Sequence, residues 1–326
     1  MEKVSVIATR GSGPGGLLYC AHSDVVPVDS WSFEESGPFD LYETADRVYG
    51  RGSCDMKGSL ACFLAAAEQY QGQELRAPLS ILVAADEEVG FLGAKDIALR
   101  SRIFQDLIVQ QPLTVIGEPT SLQVVHAHKG VAVFHVTSYG RAGHSSSASG
   151  LNANLKMIPF LQEMLAIHEE VMHDPAWQNT LFDPPTISWN IGVNDFTMAS
   201  NITPERCMCT VCFRPMPGRT VEDLLDRASR KAEELGIEYE LIQNSVPFYS
   251  DPNSEMIQQL LKLAGQPEAS RVCYASDAAE LGAMKNMVLC GPGSIEQAHT
   301  DDEWISKDQL SRGVEFYHKL IGHYCV

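Results

Sequence analysis

Between Gly16 and Pro119 the chain alternates short apolar runs with helical stretches, and no other feature constrains its fold so tightly. GLLYCAHSDVV, SLACFLAAAEQY, LSILVAADEE and LTVIGEPT follow one another in that order. Apolar runs bounded by turns and separated by helices are what strands of a parallel sheet look like when both faces are covered. The pattern predicts an α/β fold. From Val131 to Asn244 the order changes: strand VAVFHVTSYG, a helix from Asn152 to about Asp174, strands TISWNIGV and RCMCTVCFR, a helix from Val221 to about Leu235, and strand IEYELIQ. This βαββαβ order is the ferredoxin-like arrangement. After Pro247 the α/β pattern resumes with helix SEMIQQLLKLAG, strand NMVLCGPG and a last helix around Gln309 to Tyr324. The reading is a discontinuous α/β domain, residues 1–127 and 247–326, interrupted by an inserted ferredoxin-like domain at 128–246.

With 326 residues the chain is long enough for two domains, and 44% hydrophobic against 20% charged residues argues against disorder. Its 24 Lys and Arg face 42 Asp and Glu, a net charge of −18 that repels phosphate backbones and anionic lipid surfaces. Neither a nucleic-acid nor a membrane partner is expected. No apolar run approaches the roughly 20 residues of a spanning helix. The start, MEKVSVIATRGSG, has neither the basic nor the apolar region of a leader, which points to the cytoplasm. Nine cysteines lie scattered in apolar stretches such as LLYCA and NMVLC, where a thiol behaves as a small core residue and no disulfide is expected. Cys207, Cys209 and Cys212 have a knuckle-like spacing, but in an alternating strand Cys209 and Cys212 point to opposite faces.

Ligands of open α/β sheets bind beyond the carboxyl ends of the strands. There the chain sets His22-Ser23-Asp24, then Glu87-Glu88, then Glu118, with Asp55 in RGSCDMKGS immediately before a helix. Asp55 alone reads as a helix cap or a surface carboxylate. Together, five acidic side chains and an imidazole directed at one crevice repel one another and raise one another's pKa values unless a cation compensates them. Imidazole with carboxylate is the ligand set of a hydrolytic zinc site, and there are more carboxylates than one tetrahedral ion uses, so two ions fit better. His299, on a Gly/Pro-rich loop after a strand, stands where it can complete the set.

Taken in order, HSDVVP, GRGSCDMKGS, ADEEVG, GEPT with HKG, GRAGHSS and GPGSIEQAH span nearly the whole chain. They resemble the di-zinc metallopeptidase family of aminoacylases, acetylornithine deacetylases and succinyl-diaminopimelate desuccinylases. The resemblance implies two Zn2+ ions, with Co2+ or Mn2+ as substitutes. Asp55 would bridge them, Glu88 and His299 would hold one, and His22 and Glu118 the other. It further implies that Asp24 orients His22, that Glu87 is the general base, and that the peptide between Asp55 and Met56 is cis. The inserted domain is similar to the family's lid and dimerisation domain. There His144 would stabilise the oxyanion, usually across a homodimer interface, and Asn201 and Arg214 would contact the substrate carboxylate.

The run from Cys54 to Gly58, HAHKG, GHSS followed by SGLNAN, and QAH are spelled as in the acetylornithine deacetylase branch, whereas desuccinylases carry Arg-Arg-Gly-Ser in place of His128 to Val131. The implied activity is removal of the acyl group from a small N-acyl amino acid, N2-acetylornithine first. Desuccinylase, other acylamino-acid hydrolase and dipeptidase are rivals, and a non-catalytic or inactive, N-terminally shortened metal-binding relative is the rival of another class. The intact Glu87 argues against that last rival. Family members carry several dozen residues before the equivalent of the first apolar strand. The near absence of such residues here is expected to uncover a sheet flank, at about 25 cal/mol per Å² exposed, and to favour extra self-contacts.

Overall fold

The computed structural model describes residues 3–326. They form two compact units. The first comprises the described residues up to Ala127, Phe248–Arg271 and Ser276–Val326; the second comprises His128–Pro247 and Val272–Ala275. In chain order the elements are β1 (Val6–Arg10), β2 (Leu17–His22), β3 (Tyr42–Glu43), β4 (Arg47–Tyr49), α1 (Gly58–Glu68), β5 (Leu79–Ala84), α2 (Leu92–Arg100), α3 (Arg102–Gln110), β6 (Leu113–Pro119) and β7 (Val125–His128). Next come β8 (Val131–Tyr139), α4 (Ala153–His173), β9 (Asn190–Asn194), β10 (Arg206–Phe213), α5 (Glu222–Leu235) and β11 (Glu238–Ser245). The chain ends with β12 (Phe248–Tyr249), α6 (Glu255–Ala264), β13 (Ser270–Val272), β14 (Met287–Gly291), β15 (Trp304–Ser306) and α7 (Lys307–Cys325).

The first unit is built on a sheet ordered β1-β5-β2-β6-β14-β7-β12. Its centre, β5, β2, β6 and β14, is parallel. β2, β6 and β14 are buried along their whole length, which is why their sequences are unbroken apolar runs. Strand β1 was not foreseen. It pairs antiparallel to β5 from Val6 opposite Val83 to Arg10 opposite Leu79, and it is largely exposed, so it carries no apolar run to announce it. Beneath the sheet the Tyr19 ring stacks on Phe63 at 4.1 Å and meets the edge of Tyr317 at 5.2 Å. Their polar ends are joined inside this core. Ser59 Oγ lies 2.8 Å from the Tyr19 hydroxyl and 2.7 Å from that of Tyr317, which donates to the Cys290 carbonyl at 3.1 Å. A small separate sheet, β15-β4-β3, pairs Trp304 with Tyr49.

The second unit has an antiparallel sheet ordered β11-β8-β10-β9, with α4 packed on β8, β10 and α5. That is the ferredoxin-like topology. Asn152 caps α4, its side-chain oxygen accepting from the Asn154 amide at 2.9 Å. The strand read as TISWNIGV is shorter than expected and pairs only from Asn190 onward. Ser188 adopts a left-handed φ of 56°, which breaks the extended run and lets Ile187 and Trp189 both bury. The buried Lys129 ammonium anchors this stretch, donating to the Pro184 carbonyl at 2.8 Å and the Thr186 carbonyl at 2.7 Å. On β10, Cys207 and Cys209 are buried on one face and Cys212 lies on the other; all nine thiols are free. Among the described residues no helix is long and apolar enough to cross a membrane.

Candidate metal centre

Parallel pairing aligns the carboxyl ends of β2, β5 and β6 on one edge, so His22 ends β2, Glu87 and Glu88 follow β5, and Glu118 stands near the end of β6. Asp55 arrives by another route. The segment Ser53–Lys57 is a turn wider than an α-helical one, with Asp55 (φ −118°, ψ 96°) and Met56 (φ −133°, ψ 27°) outside helical geometry and a cis peptide between them. Such widened turns at helix starts swing a side chain off the helix and recur at functional sites. Gly58 is needed behind it, because a Cβ there would meet the Ser53 carbonyl oxygen at 2.3 Å. His299 follows the short turn Ile295–Gln297 after β14 and has a left-handed φ of 64°.

These segments converge. His22 Nε2 lies 3.0 Å from Asp55 Oδ1, and His299 Nε2 lies 3.3 Å from Asp55 Oδ2. His299 Nε2 is also 3.1 Å from Glu88 Oε2. Each oxygen of one carboxylate therefore faces a different imidazole. On its other side His22 turns Nδ1 toward Asp24, 3.1 Å from the carbonyl oxygen and 3.6 Å from the carboxylate. The Asp24 carboxylate accepts from the amides of Glu87 at 3.2 Å and Glu88 at 3.1 Å, so it orients the histidine and the loop after β5 together. Among the described residues His22, Asp55 and Glu88 form the one group whose ligand atoms lie within 4.8 Å of each other.

The electrostatics are those of an overcrowded acidic cluster. Burial pushes Glu118 well up, and Asp55 beside it adds to the rise. Glu87 is driven up by burial and then by Glu118. Burial alone would raise Asp24, but the His22 contact and the Glu88 and Glu87 amides hold it down to about 2. Asp55 is likewise held low against its burial by His22 and His299. Asp55 and Glu88 raise His299 to about 10, and Asp24 with Asp55 lifts His22 despite its burial. Glu118 Oε1 is buried with no hydrogen-bond partner among the described residues. Five carboxylates against two imidazoles, one of them with an orphaned oxygen, are a donor set that divalent cations fit.

The other three sequence-derived residues belong to the second unit. His144 is exposed on the loop after β8, its Nδ1 2.7 Å from Ser146 Oγ, and it bridges Ile202. Asn201 is exposed next to it, its carbonyl accepting from the Ser145 amide at 2.9 Å. Arg214 follows β10 and is half-buried. Three first-unit residues went unnoticed in the sequence. Asp277 is buried with Oδ1 unpartnered among the described residues, and burial raises its carboxyl to about 7. Arg51 and Glu303 form a buried ion pair at 2.7 Å beside the Asp55 turn. Nothing in the run TDDEW separates Glu303 from its acidic neighbours before folding.

Residues 18–323 match the model of peptidase family M20/M25/M40. The chain belongs to this family. The acetylornithine deacetylase of Proteus mirabilis (strain HI4320) is 34% identical over 332 residues, covering 99% of this chain and 83% of that protein. The acetylornithine deacetylase of Pasteurella multocida (strain Pm70) is 33% identical over 334 residues, covering 99% and 84%. Among solved structures, an M20 family metallo-carboxypeptidase from Sulfolobus solfataricus superposes with a TM-score of 0.77 at 19% identity, over 97% of this chain and 87% of that one. A Bacillus subtilis protein described as a dinuclear metal-binding peptidase of the M20 family does so at 0.64 and 12% identity, over 97% and 84%. At such identities the likeness is one of fold, an α/β unit carrying an inserted ferredoxin-like one. Family membership makes the chain a metal-dependent hydrolase of amide bonds.

Proposed function

We propose that this M20 family member is a zinc-dependent deacylase of N-acyl amino acids, cytoplasmic and homodimeric, that converts N2-acetylornithine and water to ornithine and acetate. One observation carries the metal reading: the two oxygens of Asp55 face different imidazoles, with Glu88 beside the second. In this reading His22 and Glu118 would hold one ion, Glu88 and His299 the other, and Asp55 would be shared. Bound divalent ions supply Lewis acidity toward a carbonyl oxygen and a water. The chain's own residues do the rest. Asp24 keeps Nε2 of His22 aimed at Asp55, Glu87 takes the proton of the attacking water and delivers it to the leaving nitrogen, and His144 donates to the developing oxyanion. The guanidinium of Arg214, with Asn201, pairs with the substrate α-carboxylate in a bidentate contact. The names of the relatives and the spelling of the Cys54–Gly58 and HAHKG segments favour the acetyl group and ornithine. Exposed Leu155, Phe196, Met198 and Ile202 of the second unit support a homodimer, and the free thiols support a reducing compartment.

The zinc-loaded protein, assayed on N2-acetylornithine, other N-acetyl amino acids, N-succinyl-diaminopimelate and dipeptides, should give its highest kcat/KM with N2-acetylornithine. A tenfold preference for the succinyl substrate or for a dipeptide overturns the substrate assignment.

A further inference from the structure

Glu303 is completely buried and has no part in the roles above. Its Oε1 accepts from the Cys54 amide at 2.9 Å and from the Asp55 amide at 3.0 Å. Its Oε2 accepts from Arg51 Nη1 at 2.7 Å, and its backbone carbonyl accepts from the Gly50 amide at 3.0 Å. The turn that bears Asp55 is not helical at Asp55 and Met56, so its amides need an acceptor from outside the helix ladder. Glu303 is that acceptor. It also belongs to the same loop as His299, so one side chain ties the segments of two facing residues together. Another bare carboxylate beside so acidic a cluster would raise the repulsion, and Arg51 neutralises it. Buried ion pairs are weak stabilisers, so stability alone does not account for the arrangement.

We infer that Glu303, charge-balanced by Arg51, is a positioning residue that fixes the Asp55 carboxylate with one oxygen toward each metal position; this rests on reading Asp55 as the shared ligand. The test is titration of the metal-free protein with Co2+, read by the visible absorption of the bound ion and by competition with a chelator. Wild type should take up two ions. In Glu303→Gln the amide group opposes Arg51 and the grip on the turn slackens. Affinity for the weaker ion should then fall about 10–100-fold, with a shifted cobalt band and an unchanged far-UV circular dichroism spectrum. Arg51→Lys, which keeps the charge without the fork, should move both readouts the same way by a smaller factor. Should Glu303→Gln not fold, Glu303→Asp, shorter by one methylene, carries the same test. Folded variants with wild-type affinities and an unmoved cobalt band overturn the inference and leave the pair a structural one. Asp55→Ala separates the two ideas: retention of both ions there refutes the shared-ligand reading and the inference with it. Loss of metal in Asp55→Ala with none in Glu303→Gln refutes the inference alone.

Discussion

Adjacent Glu87 and Glu88 have identical side chains but meet different groups. Glu88 faces His299 at 3.1 Å, whereas Glu87 is buried among Glu118, His22 and Asp55 without an ion pair to His299. A base must be near the metal ligands without being one. Glu87→Gln should therefore keep its metal content, measured by atomic emission, while turnover drops at least ~100-fold. Equal loss of metal and activity would make Glu87 a ligand. In the second unit, His128 is completely buried, and burial holds its ring down to about 4. An unfolded chain protonates histidine near pH 6.5. Between those values the unfolded state binds a proton that the native state does not, so stability falls as pH drops from about 6.5 to about 4 and the penalty saturates below. His128→Gln should flatten that decline by up to about 3 kcal/mol at pH 4, read from urea unfolding at pH 7, 5.5 and 4. Parallel pH slopes in the two proteins would contradict this.

At the scale of elements, helices α1 and α7 are held by polar contacts inside an apolar core. Ser59 on α1 touches the hydroxyls of Tyr19 on β2 and Tyr317 on α7, and Tyr317 reaches the Cys290 carbonyl on β14. Tyr317→Phe leaves the ring stack intact but takes one hydroxyl from the chain. It should cost about 1–3 kcal/mol through unsatisfied partners, seen as a lower urea midpoint with an unchanged m-value. An unchanged midpoint would mean that water or rearrangement replaces the hydroxyl. The buried strands β2, β6 and β14 were legible from sequence because burial demands unbroken apolar residues, whereas β7, buried as fully but carrying two histidines, was not. Exposed β1, the short β15-β4-β3 sheet and the wide turn at Asp55 were not. Their conformations depend on partners far along the chain, and they leave no periodic trace.

On the scale of the whole molecule, the inserted unit offers His144 on an exposed loop, and a donor there contributes only when charge develops on the substrate oxygen. His144→Ala should lower kcat by ~10²–10³ with metal affinity unchanged. If the histidine acts across a dimer, mixing this variant with Glu87→Gln should restore part of the activity, because some mixed dimers hold one site with both groups. Mixed dimers proven by subunit exchange yet without recovery would exclude action in trans. The sequence by itself determined the order of the central apolar strands, the βαββαβ insertion and which residue types stand at those strand ends, since these follow from local periodicity and from turns a few residues long. Only the tertiary structure decided that Val272–Ala275 joins the second unit, that each Asp55 oxygen meets its own histidine, and that Glu303 grips the Asp55 turn. Those contacts join residues up to 249 positions apart. At such separations the pairing is set by how the sheet and loops close in space, and no local pattern records it.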